Sequence, residues 1–225
     1  MTKKKLKISS VLLFMLLLIA CNKTKVAYWA PNSYGEKVKK SEENYKSGKK
    51  EGISTWWFIN GNKQLECNYK DGKLNGTLKR WYLNGTPERE DNYVNDLLNG
   101  YSKTYYKEGS IESEVNYKNG LLDGSYKLYW TNGEIQAKGQ YLNGLYDGAW
   151  RYFDETTGIQ IGEAHFVKGS GIKTEFSLKS NHKIKEINFV KNQKNGIETW
   201  WNEEGIKIKE VIYKEDKMIE THPLN

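Results

Sequence analysis

Aromatic residues return along this chain at a near-constant interval, separated by polar runs. Tyr45, Tyr69, Tyr93, Tyr117 and Tyr141 stand 24 residues apart, and Phe166, Phe189 and Tyr213 continue the row at spacings of 25, 23 and 24. Seven positions after these aromatics come Gly52, Gly76, Gly100, Gly124, Gly148 and Gly196. Twelve positions after them come Trp57, Trp81, Tyr105, Tyr129, Phe153 and Trp201. Asn60-Gly61, Asn84-Gly85, Glu108-Gly109, Asn132-Gly133 and Glu204-Gly205 come after each second aromatic run. Self-similarity at such a period marks a stacked-repeat architecture.

Each unit reads as a β-hairpin. Runs such as Ile53-Ser54-Thr55-Trp56-Trp57-Phe58 are rich in β-formers, and no sustained helical period appears after residue 20. Asn-Gly between two such runs predicts a two-residue type I′ turn, with positive φ at both central residues. Segments such as Gly72-Lys73-Leu74-Asn75-Gly76 are expected to turn the chain into the next hairpin. Counting outward from a two-residue loop pairs Lys79 with Glu90, Lys103 with Glu114 and, past an inserted residue, Arg151 with Glu163. Opposite charges across a strand pair contribute roughly 0.2–1 kcal/mol each. Lys127 facing Lys138 interrupts the ladder. The same parity puts the leading aromatics on one face with Phe58, Tyr82, Tyr106 and Trp130, joined by Cys67, Val115, Ile187 and Val211. The twelfth-position rings fall on the other face, among the Lys–Glu pairs and Asn68, Asn92 and Asn116.

The expected fold class is therefore all-β: an elongated, single-layer antiparallel sheet of about seven stacked 24-residue hairpins over residues 45–216. Strands about 4.8 Å apart would make it on the order of 65–70 Å long. Stacked rings take the place of a two-layer core, which suits a chain with 13% aromatic residues and few aliphatics beyond residue 20. Asp154 to Gly158 lengthens one turn and Gly169-Ser170-Gly171 shortens the next connection, which predicts a bend or seam in units five and six. Residues 217–225 form the expected polar cap.

The N-terminus reads as an address. Lys3 to Lys7 precede the apolar run Val11 to Ala20, too short to span a bilayer as a helix, and residues 1–20 are expected to be a signal peptide. Leu18-Ile19-Ala20-Cys21 resembles the lipobox of bacterial lipoproteins. That resemblance implies cleavage before Cys21, acylation of its thiol, and attachment to a bacterial membrane on its extracytoplasmic side. Residues 21–44 are then the lipidated N-terminus and, at least in part, a tether, with Trp29 and Tyr34 packing on the repeats beyond it. No other cofactor is expected. The formal charge of +7 falls to +3 without the four leader lysines, too little for a nucleic-acid footprint. Cys67 alone remains after Cys21; it lacks an intramolecular disulfide partner and occupies the slot filled elsewhere by Val115 and Val211.

Units such as Tyr69-Lys70-Asp71-Gly72-Lys73-Leu74-Asn75-Gly76, continued by Trp81-Tyr82-Leu83-Asn84-Gly85, resemble the MORN repeat, and more closely its bacterial variant. The resemblance covers about residues 45–216. It implies an elongated sheet of hairpins in a scaffold or interaction role, among proteins that include lipoproteins and some labelled antitoxin-like. The chain holds no G-x-S-x-G, H-E-x-x-H or phosphate-binding Gly-Lys-Ser/Thr string. His165, His182 and His222 stand apart, without ligand spacing, and recurring carboxylates such as Glu112/Glu114 and Glu203/Glu204 arise from the repeat. The expectation is a membrane-anchored, non-enzymatic scaffold that binds a protein partner, with an immunity-like role as a special case. The ladder Trp57, Trp81, Tyr105 and Tyr129 reads first as repeat-to-repeat packing. It also suggests an alternative, glycan or cell-wall binding through exposed rings, because Trp and Tyr combine a rigid face with a polar tip.

Overall fold

The computed structural model describes residues 21–31 and 33–224; the expected signal peptide, residues 1–20, lies outside the described residues. The described chain is built of strands alone. They are β1 (Asn22–Tyr28), β2 (Lys39–Lys46), β3 (Lys49–Trp57), β4 (Lys63–Lys70), β5 (Lys73–Trp81) and β6 (Pro87–Val94). Next come β7 (Leu97–Leu98), β8 (Gly100–Tyr105), β9 (Ile111–Lys118), β10 (Leu121–Tyr129), β11 (Ile135–Leu142) and β12 (Leu145–Phe153). The last six are β13 (Gln160–Val167), β14 (Ser170–Phe176), β15 (Lys183–Val190), β16 (Gln193–Trp201), β17 (Lys207–Lys214) and β18 (Lys217–Pro223). All 18 strands form one open antiparallel sheet. Each strand pairs with its neighbour in sequence, with β7 and β8 sharing β6 as partner. Substantial contacts run only between strands adjacent in the sheet, as a repeat architecture requires.

The turns exchange the roles expected of them. The two-residue type I′ turns join one hairpin to the next: Asp71 and Gly72, with φ of 51° and 87°, connect Lys70 to its partner Lys73. Asn95-Asp96, Lys191-Asn192 and Glu215-Asp216 repeat this geometry without glycine. Asp96 and Asp216 each accept a backbone N–H from the preceding unit, Leu74 and Lys194, at 2.7 Å. The Asn-Gly sites are three-residue loops instead. Phe58 N donates to Asn62 O at 2.9 Å and Gly61 N to Phe58 O at 3.0 Å, and only Gly61 has positive φ. Asparagine serves there through its side chain: Asn60 Oδ1 accepts Asn62 N at 3.1 Å, while its Nδ2 reaches Leu83 O of the next unit at 2.9 Å. Asn132 does the same with Glu134 and Glu155.

The expected register survives this correction for a physical reason. The extra loop residue is offset by a bulge, so that Trp57 opposes Lys63 while Trp56 opposes Leu65. Lys79↔Glu90, Lys103↔Glu114, Arg151↔Glu163 and the like-charged Lys127↔Lys138 all pair as counted. Lys79–Glu90 and Lys103–Glu114 form ion pairs at 3.3 and 3.1 Å. Segments such as Gly72 to Gly76 do not turn as a whole either. Gly76 lies inside β5, in a bulge where Cys67↔Leu78 gives way to Tyr69↔Leu74.

The sheet begins earlier than residue 45. Instead of a tether, the chain after Cys21 enters β1 at once and pairs with β2 from Asn22↔Lys46 to Tyr28↔Lys39. Every residue of β1 is exposed, so no apolar alternation announces it. Thr24 Oγ1 donates to Asn44 Oδ1 at 2.7 Å, and Trp29 Nε1 donates to Trp57 O at 3.1 Å. At the other end β18, equally exposed, caps the sheet. The expected seam in units five and six is not a break, since pairing runs unbroken from β12 to β15. There Asn192 spans the shortened connection, donating to Gly144 O at 2.9 Å and accepting Tyr146 N at 2.8 Å.

Burial is concentrated on the face that carries the leading aromatics. Cys67, Val115, Ile187 and Val211 are 1–5% exposed there, each two positions before its unit's leading ring. An apolar cluster centres on Trp150, Ala164 and Phe166, with Tyr126, Tyr141, Tyr146, Tyr152 and Phe189 packed around it. Each such buried side chain contributes about 1.5–3 kcal/mol.

Candidate functional site

The tyrosine face is organised by pairing each leading ring with a glycine. Tyr69 opposes Gly52, Tyr93 opposes Gly76, Tyr117 opposes Gly100 and Tyr141 opposes Gly124. Phe166, Phe189 and Tyr213 oppose Gly148, Gly171 and Gly196, while Tyr45 pairs with Lys50. Glycine accepts the left-handed backbone of the bulge, as at Gly76 with φ of 107°, where a Cβ would stand 3.1 Å from Asn68 Cβ. On the opposite face the asparagine row closes the same bulges. The Nδ2 groups of Asn44, Asn68, Asn92 and Asn188 donate to the carbonyls of Ile53, Thr77, Tyr101 and Ile197 at 2.7–3.1 Å. Asn92→Ala is expected to lower stability by about 1 kcal/mol, read as a lower urea midpoint, because Tyr101 O loses its partner.

Charged groups interrupt the apolar stripe of the tyrosine face. Asp91, 1% exposed, accepts hydrogen bonds from Ser102 Oγ and Arg89 Nε, each at 2.5 Å. Glu43 pairs with Lys50 at 2.8 Å, and the Lys50 ammonium holds the carboxyl below its usual range. Glu198, 2% exposed, pairs with Lys194 at 2.7 Å and Lys185 at 3.8 Å.

The ladder Trp57, Trp81, Tyr105 and Tyr129 lies on the lysine–glutamate face, half-buried, in successive units. Lys39 Nζ lies 5.2 Å from the centroid of Trp57, and Lys63 Nζ, paired with Glu66 at 2.6 Å, lies 5.5 Å from that of Trp81. Tyr105 and Tyr129 oppose Ile111 and Ile135. The thirteenth-position aromatics stand at the loop ends and reach across units. Tyr82 and Tyr106 Oη donate to Tyr105 O and Tyr129 O at 2.9 and 2.6 Å, and Trp130 Nε1 donates to Phe153 O at 3.3 Å.

Glu114 knits the middle of the ladder. It accepts Tyr101 Oη at 2.6 Å and Tyr129 Oη at 2.8 Å, and pairs with Lys103 at 3.1 Å. These bonds, Tyr101's first, lower its carboxyl pKa to about 2. A carboxylate with a depressed folded-state pKa stabilises above its unfolded value of 4.5 and loses that contribution as pH falls through about 2. Glu114→Gln is therefore expected to be less stable than the parent by about 1–2 kcal/mol at pH 7. Thermal melts of the two chains should converge as the pH falls through this window.

The irregular units hold a cleft of about 470 Å3. Tyr152, Gly162 and Glu175 face one another across β12, β13 and β14. Gly162 lies in the same cross-strand row as Ala137 and Lys185, on the next strands but one, β11 and β15, and the Tyr152 ring packs over it, 3.3 Å from where a Cβ would stand. Tyr152, Lys173 and Glu175 line the cleft with the apolar Ile161, Phe176, Leu178 and Ile184. Lys173 Nζ sits 4.2 Å from the Tyr152 centroid and pairs with Glu175 Oε1 at 2.8 Å. One wall is the loop from Ser177 to His182, tied to the next unit through Glu203. Ser177 Oγ donates to both Glu203 carboxylate oxygens at 2.8 and 2.9 Å, and Ser180 Oγ to Oε2 at 2.6 Å. These donors, Ser180 first, hold the Glu203 carboxyl below its usual range. The cleft has no motif in the sequence; its one signal is that repeat spacing and loop length change together there.

Cys21 is exposed at a corner of the sheet, its carbonyl accepting Ser47 N of the first turn at 3.2 Å. Cys67 is buried, and burial pushes its thiol pKa up. His165 and His222 lie on β13 and β18; His182 Nδ1 lies 3.0 Å from Glu203 O. Among the described residues no group of three or more His, Cys, Asp or Glu side chains is placed to hold a metal ion, and no helix is long and apolar enough to cross a membrane.

No curated protein matches this chain. The family described as MORN repeat variant matches residues 50–71, 74–95, 98–119 and 122–143. The matched stretches are the hairpins β3–β4, β5–β6, β7–β9 and β10–β11. They end on Asp71, Asn95, Asn119 and Asn143, the left-handed first residues of the type I′ turns. The chain thus carries four consecutive MORN-variant repeats, and the same hairpin geometry continues on both sides of them.

Proposed function

We propose that this chain is a lipid-anchored scaffold, without catalytic chemistry of its own, whose repeat sheet binds a protein partner. The observation that carries the reading is the repeat itself: four MORN-variant hairpins in an open sheet that offers two side-chain faces along its whole length. Lipid attachment at Cys21 is supported by the lipobox-like Leu18-Ile19-Ala20-Cys21 and by the exposed position of the cysteine. The charge around it is also favourable to an anionic membrane surface. Residues 21–50 hold eight lysines against three glutamates, whereas residues 51–225 have two more acids than bases. Exposed Lys23, Lys46 and Lys49 lie beside Cys21 in the pairing of β1, β2 and β3. With β1 starting at Asn22, little flexible chain separates the anchor from the sheet.

Mass spectrometry of the mature chain tests the anchor: acyl chains on Cys21 are expected, and Cys21→Ser is expected to leave the membrane fraction. Crosslinking and affinity capture from envelope extracts test the partner. One specific protein is expected, and repeated capture of none overturns the reading. A role in immunity against a toxic protein is a special case, tested by co-expressing this chain with the products of neighbouring genes and scoring survival.

A further inference from the structure

We infer that the cleft beside Gly162 receives a neutral aromatic side chain with a hydrogen-bond donor at its tip, a tyrosine or tryptophan presented by the protein partner. This rests on the scaffold reading above. A cleft of about 470 Å3 lies within the range of small-ligand sites and admits one large side chain with its flanking backbone. Its walls select shape. The rings of Tyr152 and Phe176 and the branched chains of Ile161 and Ile184 offer flat apolar surface, and Leu178, half of it exposed, stands at the mouth.

Its floor selects polarity. Glu175 Oε1 is taken by Lys173 at 2.8 Å, whereas Oε2 has only Lys185 at 3.8 Å, beyond hydrogen-bond reach. One carboxylate oxygen is thus left able to accept a donor. Lys173, Lys179 and Lys185 stand against Glu175, Glu198 and Glu203 in and around the cleft, so a charged tip of either sign meets groups of its own sign and a desolvation cost with no net field to offset it. A phenol or an indole meets neither. Glu203 holds the wall in place through Ser177 and Ser180, which reduces the ordering cost of binding. Tyrosine and tryptophan are also the side chains that concentrate binding energy when seated in such pockets at protein interfaces.

The test is methyl and amide NMR on the full chain, titrated with N-acetyl-tyrosinamide, N-acetyl-tryptophanamide and N-acetyl-phenylalaninamide. The first two are expected to shift Ile161, Leu178 and Ile184 saturably. The phenylalanine probe is expected to bind about ten- to a hundredfold more weakly, the worth of one hydrogen bond to a charged acceptor. Glu175→Leu removes that acceptor and is expected to abolish the preference while the phenylalanine probe still binds, which reports an intact cleft. Leu178→Arg, at the exposed mouth, is expected to block all three probes and to release the captured partner. Equal binding of the three probes, no saturable shift at these residues, or a preference that survives Glu175→Leu overturns the inference. A partner that stays bound to the Leu178→Arg chain overturns it too, yet leaves the scaffold reading standing. Probe binding by a chain that captures no protein removes the scaffold reading and, with it, the protein as source of the ring.

Discussion

Trp150→Ala is expected to destabilise the sheet by about 3–5 kcal/mol, the cost of emptying a packed aromatic site. Trp150 is 3% exposed and meets Tyr141 and Tyr146 nearly edge-on, with ring centroids 5.2 and 4.9 Å apart, while its Nε1 donates to Gln140 O at 3.1 Å. It also lies flat over Gly139, where an added Cβ would come within 2.2 Å of the indole. Cross-strand pairing shows how this arises. One unit pairs Ser102 with Val115, small on the first strand and larger on the second; the next inverts this order, pairing Tyr126 with Gly139, and Trp150 of the strand beyond, itself opposite Ala164, fills the space Gly139 leaves. Gly139→Val alone is therefore expected to be as damaging as Trp150→Ala, through overpacking rather than a void. Trp150→Ala combined with Gly139→Val removes the ring that the added side chain would strike. It is expected to be less destabilised than the sum of the two single changes by about 1–3 kcal/mol. Urea unfolding monitored by far-UV circular dichroism measures all three; strict additivity would refute the coupling of Trp150 to Gly139.

Arg89→Ala is expected to cost about 3 kcal/mol or more, because it leaves Asp91 charged and almost fully buried with Ser102 as its remaining side-chain donor. Asp91→Val behaves differently. Val115 and Val211 fill the equivalent slot in other units, and the Arg89 side chain, 36% exposed, can turn its charge to water. That variant is expected to lie within about 1 kcal/mol of the parent, since replacing a buried ion pair by a fitting hydrophobe is often neutral. If the two variants lose stability equally, the asymmetry in burial does not control the pair.

Much of the architecture is legible along the chain. The period of the aromatics, the all-β class and the cross-strand Lys–Glu pairs come from residue spacing, because one hairpin repeated must bury the same side of itself each time. Asn60-Gly61 is legible as a loop but not as its type. The dipeptide predicts a left-handed asparagine, whereas Asn60 makes two side-chain hydrogen bonds, one of them to a neighbouring unit that a local motif does not display. The register comes out right because loop and bulge shift it by opposite single residues. β1 is hidden for another reason: a strand exposed along its whole length has no alternation to show. The cleft is hidden because its walls come from separate elements that only the fold brings together, Tyr152 on β12, Glu175 on β14 and Leu178 in the loop that follows.

By itself, the order of residues determined that this protein is a stack of ribbons and where each unit folds back on itself, since those are consequences of local preference and periodicity. It also carries the lipobox-like Leu18-Ile19-Ala20-Cys21 on which the proposed anchor rests, because such a motif is a matter of order, not shape. What only the tertiary structure decided is which side chains meet across units: that rings sit over glycines, that asparagines close bulges, and that one unit inverts its core and another opens a cleft. Those outcomes depend on how the volumes of residues two dozen positions apart add up at one place, and packing of that kind exists only once the strands lie side by side.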